Sequence, residues 1–422
     1  MKGNQMKSPQ VIGRILIGAL SVALLSGLGA CATSPQSSQG SATTISFLSW
    51  DNEETMKPII DAFQADNPDV KIDFSWAPPV QEYIQTLQTR LNAGTAADVF
   101  IITAENRTQL MDGGLVTDIT SEPFMSNIAD AAKVPYTKDG KVYGMATASW
   151  GGGLVYNEDL LAKVGFNGSL SSWQDFLDVC QKLKDAGTAP FLDDLSSVPV
   201  AVSGLLAIEN KKSGGTMDAK IFAGESSFAQ TWAAPLTLYK QLADKGYLDK
   251  AAVALNGDQV LQEFEAGRVG FIATGSWTPG GIRQAAPDLK FKFIPVPGAN
   301  AGESGWAGAV SPGLAINAKS DKKEAAAKFL SFMQSKKAVE MYNKATGSIT
   351  TTKDFTPTVD DSLTLLADGV REGNFYLPMS SWLKGQDALQ TDATALIQQM
   401  IQGTSTPEQV AAGLDATLKT LG

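Results

Sequence analysis

The sequence has no histidine and only two cysteines in 422 residues. Without histidine, Ser-His-Asp and Cys-His nucleophilic catalysis are excluded, and the commonest zinc ligand is missing. Two cysteines cannot build a disulfide scaffold or a cysteine-rich metal site. Cations are scarce too: 34 Lys and Arg face 44 Asp and Glu, a formal charge of −10. Removal of a leader ending at Ala30 would take away Lys2, Lys7 and Arg14 and leave 31 cations, a charge of −13. Such an acidic balance disfavours nucleic acid and anionic lipid, which attract cations. There is no G-x-x-x-x-G-K-[ST] motif, and Gly151–Gly153 lacks the G-x-G-x-x-G pattern of dinucleotide sites. Repeats at a fixed period of about 20–50 residues are also missing. A glycoside hydrolase needs two carboxylates roughly 5–10 Å apart, and no spacing here nominates a pair.

What is present begins with an export signal. Lys2, Lys7 and Arg14 precede an apolar run from Ile15 to Leu25, and Leu28-Gly29-Ala30-Cys31 follows. The run is shorter than the roughly 20 residues that span a bilayer comfortably, and small residues close it, as in a cleaved signal. Leu-Gly-Ala-Cys resembles the lipobox of bacterial lipoproteins, which implies that Cys31 is the lipid attachment point and residues 31–42 a flexible tether. Cys180 is then alone, in an apolar helical context with Phe176, Leu177, Val179 and Leu183.

The remainder is long enough for two domains and reads as α/β. Thr44–Trp50, Val70–Trp76 and Ala97–Thr103 are predicted strands, the last nearly unbroken in apolar character. Between them, Met56, Ile59, Ile60 and Phe63 recur at helical spacing, and a second helix is predicted over Gln81–Ala93. Alternation of strand and helix implies parallel pairing. Further on, Ser172 and Asp175 form a capping box that opens a helix through Lys184. Helices are also predicted over Phe228–Lys245, Gln259–Ala266, Asp321–Ser335, Ala388–Gly403 and Pro407–Leu421, and strands over Arg268–Thr274, Lys290–Val296 and Leu314–Ala318.

Five segments in order resemble extracellular solute-binding proteins of family 1, the receptors of bacterial ABC importers for carbohydrates. They are DAFQADNPDV (61–70), GKVYGMATASWGGGLVYNEDLLAKVG (140–165), FEAGRVGFIATGSW (264–277), KSDKKEAAAKFLSFM (319–333) and ALIQQMIQGTSTPEQVAAGLDATLKTL (395–421). Gly270 stands where the family more often has alanine. The resemblance implies a periplasmic-binding-protein-like fold of two α/β lobes, each a mainly parallel sheet flanked by helices. One lobe is expected over 43–153 plus 307–350 and the other over 154–306 plus 351–422. Gly151–Gly153 and Ser304–Ala309 suit the first two crossings. Ligand would bind between the lobes, which hinge shut and present it to the permease; no bond in it is broken and no cofactor is required. The protein is expected to be a monomer, held outside the cytoplasm on the membrane by Cys31.

Sugars offer hydroxyls to carboxylates and amides, and C–H faces to aromatic rings. Trp76, Trp173 and Trp232 fall in strand or helical patterns and are expected in the core. Trp50, Trp150, Trp277, Trp306 and Trp382 fall beside turns, where ligands of α/β sheets bind, and the resemblance implies a stacking role for Trp277. Asp51 and Asn52 follow the first strand, and Glu105 and Asn106 the third; both pairs could equally cap helices. Glu82 and Tyr83 open a helix toward the same edge. Asp193 and Asp194 lie in a loop, Ser348 falls at the third crossing, and Arg283 could pair with a carboxylate. Acidic, aromatic edges favour a neutral oligosaccharide over a peptide or a metal ion.

Overall fold

The computed structural model describes residues 42–421 apart from Asp354 and Pro357. The leader, Cys31 and nearly all of the expected tether lie outside the described residues. In chain order the strands are β1 (Thr43–Ser49), β2 (Val70–Trp76), β3 (Val99–Ile102), the hairpin β4 (Thr137–Lys138) and β5 (Lys141–Val142), β6 (Met145–Ala146) and β7 (Ala148–Asn157). After these come β8 (Ala189–Asp193), β9 (Val269–Gly275), β10 (Phe291–Ile294), β11 (Val296–Pro297), β12 (Ser304–Val310), β13 (Gly313–Ile316), β14 (Ile349–Thr350) and β15 (Phe375–Tyr376).

Among the described residues two large sheets form, one per lobe, beside the separate β4–β5 hairpin. The first has the order β2-β1-β3-β13-β6, and the second β11-β12-β7-β9-β8, with β10, β14 and β15 added to it. Expected parallel pairing holds for β1 with β2 and β3 and for β8 with β9. Strands next to the crossings pair antiparallel, β13 on β3 and β6 and β12 and β14 on β7, and within the second sheet β9 and β10 also run antiparallel to β7. Both sheets are therefore mixed, where a mainly parallel pair was expected: a chain that crosses back enters the sheet from the other side, and β9 and β10 reverse against the long β7 within the second sheet.

Each lobe has its own core. Ile45, Phe47, Phe63, Phe100 and Phe329 lie in the first; Trp173, Phe176, Phe191, Trp232 and Trp382 lie in the second. The cores interlock at the crossings. Ala104, which follows β3, is buried in the second core, and Val310 at the end of β12 is buried in the first. The chain crosses between β6 and β7, between β12 and β13, and beside β14, where Thr351 Oγ1 donates to Ala146 O at 2.9 Å. Gly151–Gly153 thus lies within β7 rather than at a crossing. These glycines serve close packing: a Cβ on Gly153 would stand 2.5 Å from Ile294 O and 2.6 Å from the Trp306 ring.

Local chemistry explains several helix boundaries. Asn52 caps the Glu53–Asp66 helix by accepting from Thr55 N at 3.0 Å, and Met56, Ile59, Ile60 and Phe63 form its buried stripe. The Ser172–Asp175 capping box forms as expected and opens Trp173–Asp185. Phe228–Lys245, expected as one helix, is two, Phe228–Thr231 and Ala233–Asp244. Pro235 has no N–H to donate back to Thr231, so the ladder breaks at Trp232. The helix expected from Asp321 starts later: it runs Lys323–Met333, preceded by Lys322 N donating to Ser320 Oγ.

Candidate functional site

The C-terminal end of β1 supplies the first wall. Asp51 N donates to Ser49 Oγ at 2.9 Å, and the Tyr342 phenol donates to Asp51 Oδ2 at 3.0 Å. Burial pushes the Asp51 carboxyl up from its ordinary 3.8 to about 6, against the pull of hydrogen bonds from Tyr342, Ser49 and Trp50. Trp50 is partly buried and meets the Tyr83 ring edge-on at 6.0 Å. After β3, Glu105 is partly buried; burial raises its carboxyl, while Thr103 and Arg107 pull the other way.

The second wall begins where β9 ends. Trp277 is 53% exposed and touches Trp150 edge-on, with ring centroids 5.4 Å apart and planes at 77°. Its position depends on Gly275, where a Cβ would stand 1.9 Å from the indole. The turn is fixed by Ser276 N donating to Gly151 O at 2.9 Å and by Thr278 Oγ1 donating to Gly275 O at 3.0 Å. β8 runs parallel to β9 with Asp193 beside Ala273, so Asp194 falls at the same sheet edge. Asp194 is partly buried and accepts from Ser196 N at 2.9 Å.

One helix, Lys336–Thr346, reaches both walls. Tyr342 holds Asp51 on one side. At its end Asn343 Nδ2 donates to Ser348 O at 2.6 Å, and the Cβ position of Gly347 lies 3.4 Å from Ser276 O, next to Trp277. Ser348 is partly buried there, its hydroxyl accepting from Thr346 Oγ1 at 2.8 Å. This helix thus links Asp51 on one side to Ser348 and the Ser276 turn beside Trp277 and Trp150 on the other.

Other expected site residues serve the fold. Trp306 is 3% exposed, its ring slotted between Gly153 and Gly369. Trp382 is fully buried against Phe228 and Trp232. Both are corrected to core residues: nearby turns marked them, but distant glycines and aromatic rings enclose them. Tyr83 is buried with its hydroxyl spent on Ile101 O at 2.7 Å, and buried Asn106 accepts from Thr103 N at 2.9 Å. Asn52 is occupied as a helix cap, and Glu82 is exposed in the first turn of Val80–Ala93. Asp193 is buried, bonded to the Tyr239 phenol at 3.0 Å. Arg283 pairs through two nitrogens with Asp360. Trp173 and Trp232 are core as expected, whereas Trp76, on edge strand β2, is 43% exposed. Tyr342 and Arg107 were missed; a helical tyrosine and a lone arginine carry no local signal of such contacts. Among the described residues no group of three or more His, Cys, Asp or Glu is placed to hold a metal.

Two lobes joined by crossing strands, with an exposed ring and partly buried carboxyls at strand ends, are the features of a solute-binding protein. The chain belongs to the bacterial extracellular solute-binding proteins, whose family model matches residues 58–364. A family 1 extracellular solute-binding protein from Bifidobacterium longum subsp. infantis is 30% identical, with a TM-score of 0.76, covering 90% of this chain and 100% of that one. The multiple sugar-binding protein of Streptococcus mutans serotype c is 23% identical over 358 residues, 81% of this chain and 83% of its own length. RafE in complex with raffinose shares the fold, with a TM-score of 0.78 at 19% identity over 90% of this chain and 100% of that one.

Proposed function

We propose that this protein is the substrate-binding component of an ABC importer, capturing a neutral oligosaccharide between its lobes and delivering it unchanged to the permease. The observation that carries the reading is the Trp277 ring, more than half exposed at a strand end and propped edge-on by Trp150. A platform of this kind matches the C–H face of a pyranose, and Asp51, Glu105 and Asp194 supply acceptors for hydroxyls. The acceptors are acidic, which disfavours an anionic sugar. The sugar-binding name of the Streptococcus mutans relative and the raffinose complex of RafE support the same class. Membership of an extracellular family, together with the lipobox-like Leu28–Cys31, supports a chain tethered outside the cytoplasm through lipidated Cys31.

Titration calorimetry with mono- to tetrasaccharides, raffinose and stachyose among them, tests this. A neutral glycan should bind near micromolar, about −8 kcal/mol, and be recovered intact. Tight binding of peptides or metal with no glycan binder would overturn the ligand class, and glycan turnover would establish an enzyme.

A further inference from the structure

Arg107 carries a charge into the place where the two cores interlock. It is 5% exposed, at the start of the Arg107–Asp112 helix of the first lobe. Nη1 donates to Val310 O at 3.3 Å, and Nη2 to Ser380 O at 2.7 Å. Val310 is the last residue of β12 before the chain crosses, whereas Ser380 lies in the 378–381 turn, whose neighbours Met379 and Trp382 sit in the second core. One guanidinium therefore ties the first lobe to a crossing strand and to the second lobe. Its surroundings are equally fixed. The Tyr136 phenol donates to the same Val310 carbonyl at 3.0 Å, Arg107 lies 5.5 Å from that ring, and Ala104 N donates to Ser311 Oγ at 3.3 Å.

The second-lobe side of this junction is stiff as well. Tyr376 donates to buried Asp218 Oδ2 at 2.7 Å just before the turn, and Trp382 just after it is fully buried against Phe228 and Trp232. Gln386 Nε2 donates to Met379 O at 2.7 Å inside the turn. A buried charge costs several kcal/mol unless its donors are satisfied, and an apolar side chain would pack here without that cost. What the guanidinium adds is direction: from the first lobe, its two planar donors fix the angle between the end of the crossing strand and the second-lobe turn.

We infer that Arg107 is the pivot pin of the lobe hinge, a positioning residue that sets the closing equilibrium, and so the affinity, without touching the ligand. The inference rests on the proposed closure around a sugar. Because the pin sits at the crossing, its bonds persist as the lobes move, and it confines the motion to one axis. Loss of the pin lets the empty lobes wander, and closure must then order them at a cost in affinity.

Spin labels on Lys71→Cys and Lys163→Cys, one exposed position per lobe, in the Cys31→Ser chain report the distance between lobes by pulsed electron resonance. Without ligand the parent should give one narrow distribution. Arg107→Gln should broaden it, with Arg107→Lys between the two, and the Gln variant should bind the best glycan of the calorimetric panel about tenfold more weakly. Tyr376→Phe, which loosens the 378–381 turn while keeping Arg107, should broaden it too and serves if Arg107→Gln does not fold. A lower melting temperature with an unchanged distribution would mark Arg107 as structural only. Distributions as narrow as the parent's in Arg107→Lys and Tyr376→Phe would also overturn the pin, whatever ligand does. Failure of every glycan to shorten the distance in the parent would instead refute closure.

Discussion

Asp51 and Tyr342, 291 residues apart, share a 3.0 Å hydrogen bond between the end of β1 and the middle of the Lys336–Thr346 helix. The bond holds a partly buried carboxyl at the first wall from a helix that also abuts the turn bearing Trp277.

Asp51 should make stability fall as pH rises. The unfolded chain releases this proton near 3.8, but the folded protein holds it to about 6. The folded state therefore binds more protons across that window, and the contribution of this group is lost with rising pH, by up to about 3 kcal/mol. Asp51→Asn removes the penalty. Its melting temperature should exceed the parent's at pH 7, and the gap should close by pH 4. A gap that is constant with pH would contradict the burial argument.

Trp277→Ala should weaken glycan binding by about 1–3 kcal/mol, as expected for a lost stacking surface, with little change in melting temperature. Calorimetry beside a thermal melt separates the two effects. Unchanged affinity would remove Trp277 from the site.

Gly275→Ala should mimic that loss without altering any ligand-facing atom type. The added methyl group occupies the space of the Trp277 ring, and the ring, being exposed, can swing away at little cost in stability. Indole fluorescence should change in the free protein and lose its response to glycan. A full response would show that the ring tolerates the methyl group in place.

Trp306→Ala should act oppositely. Removing a side chain packed between Gly153 and Gly369 leaves a cavity and should cost about 3–5 kcal/mol of stability, read by denaturant titration. Protein that remains folded should bind glycan as before.

These contrasts show what the sequence revealed. Helical periodicity placed Trp173 and Trp232 in the core, since three- and four-residue spacing defines a buried face. Alternation misplaced Trp76, because it does not tell an edge strand from a central one, and β2 is at the edge of its sheet. Trp306 and Trp382 resemble Trp150 and Trp277 in local sequence; the difference is whether distant residues close over the ring. The asymmetry of the walls was legible in Asp51 and Glu105, whose position after a strand follows from the α/β pattern. Tyr342 and Arg107 were not, because each acts across more than 200 residues. Likewise, strand order required knowing where the chain returns.

The position of β13 has a consequence for biogenesis. It lies between β3 and β6, so the first sheet has a gap at that position until residue 316 has been synthesised. An emerging chain cannot complete its N-terminal half early, and long-range pairing of this kind forms slowly. In a family of extracellular proteins, late completion would leave the chain unfolded, and so open to transport, for most of its translation.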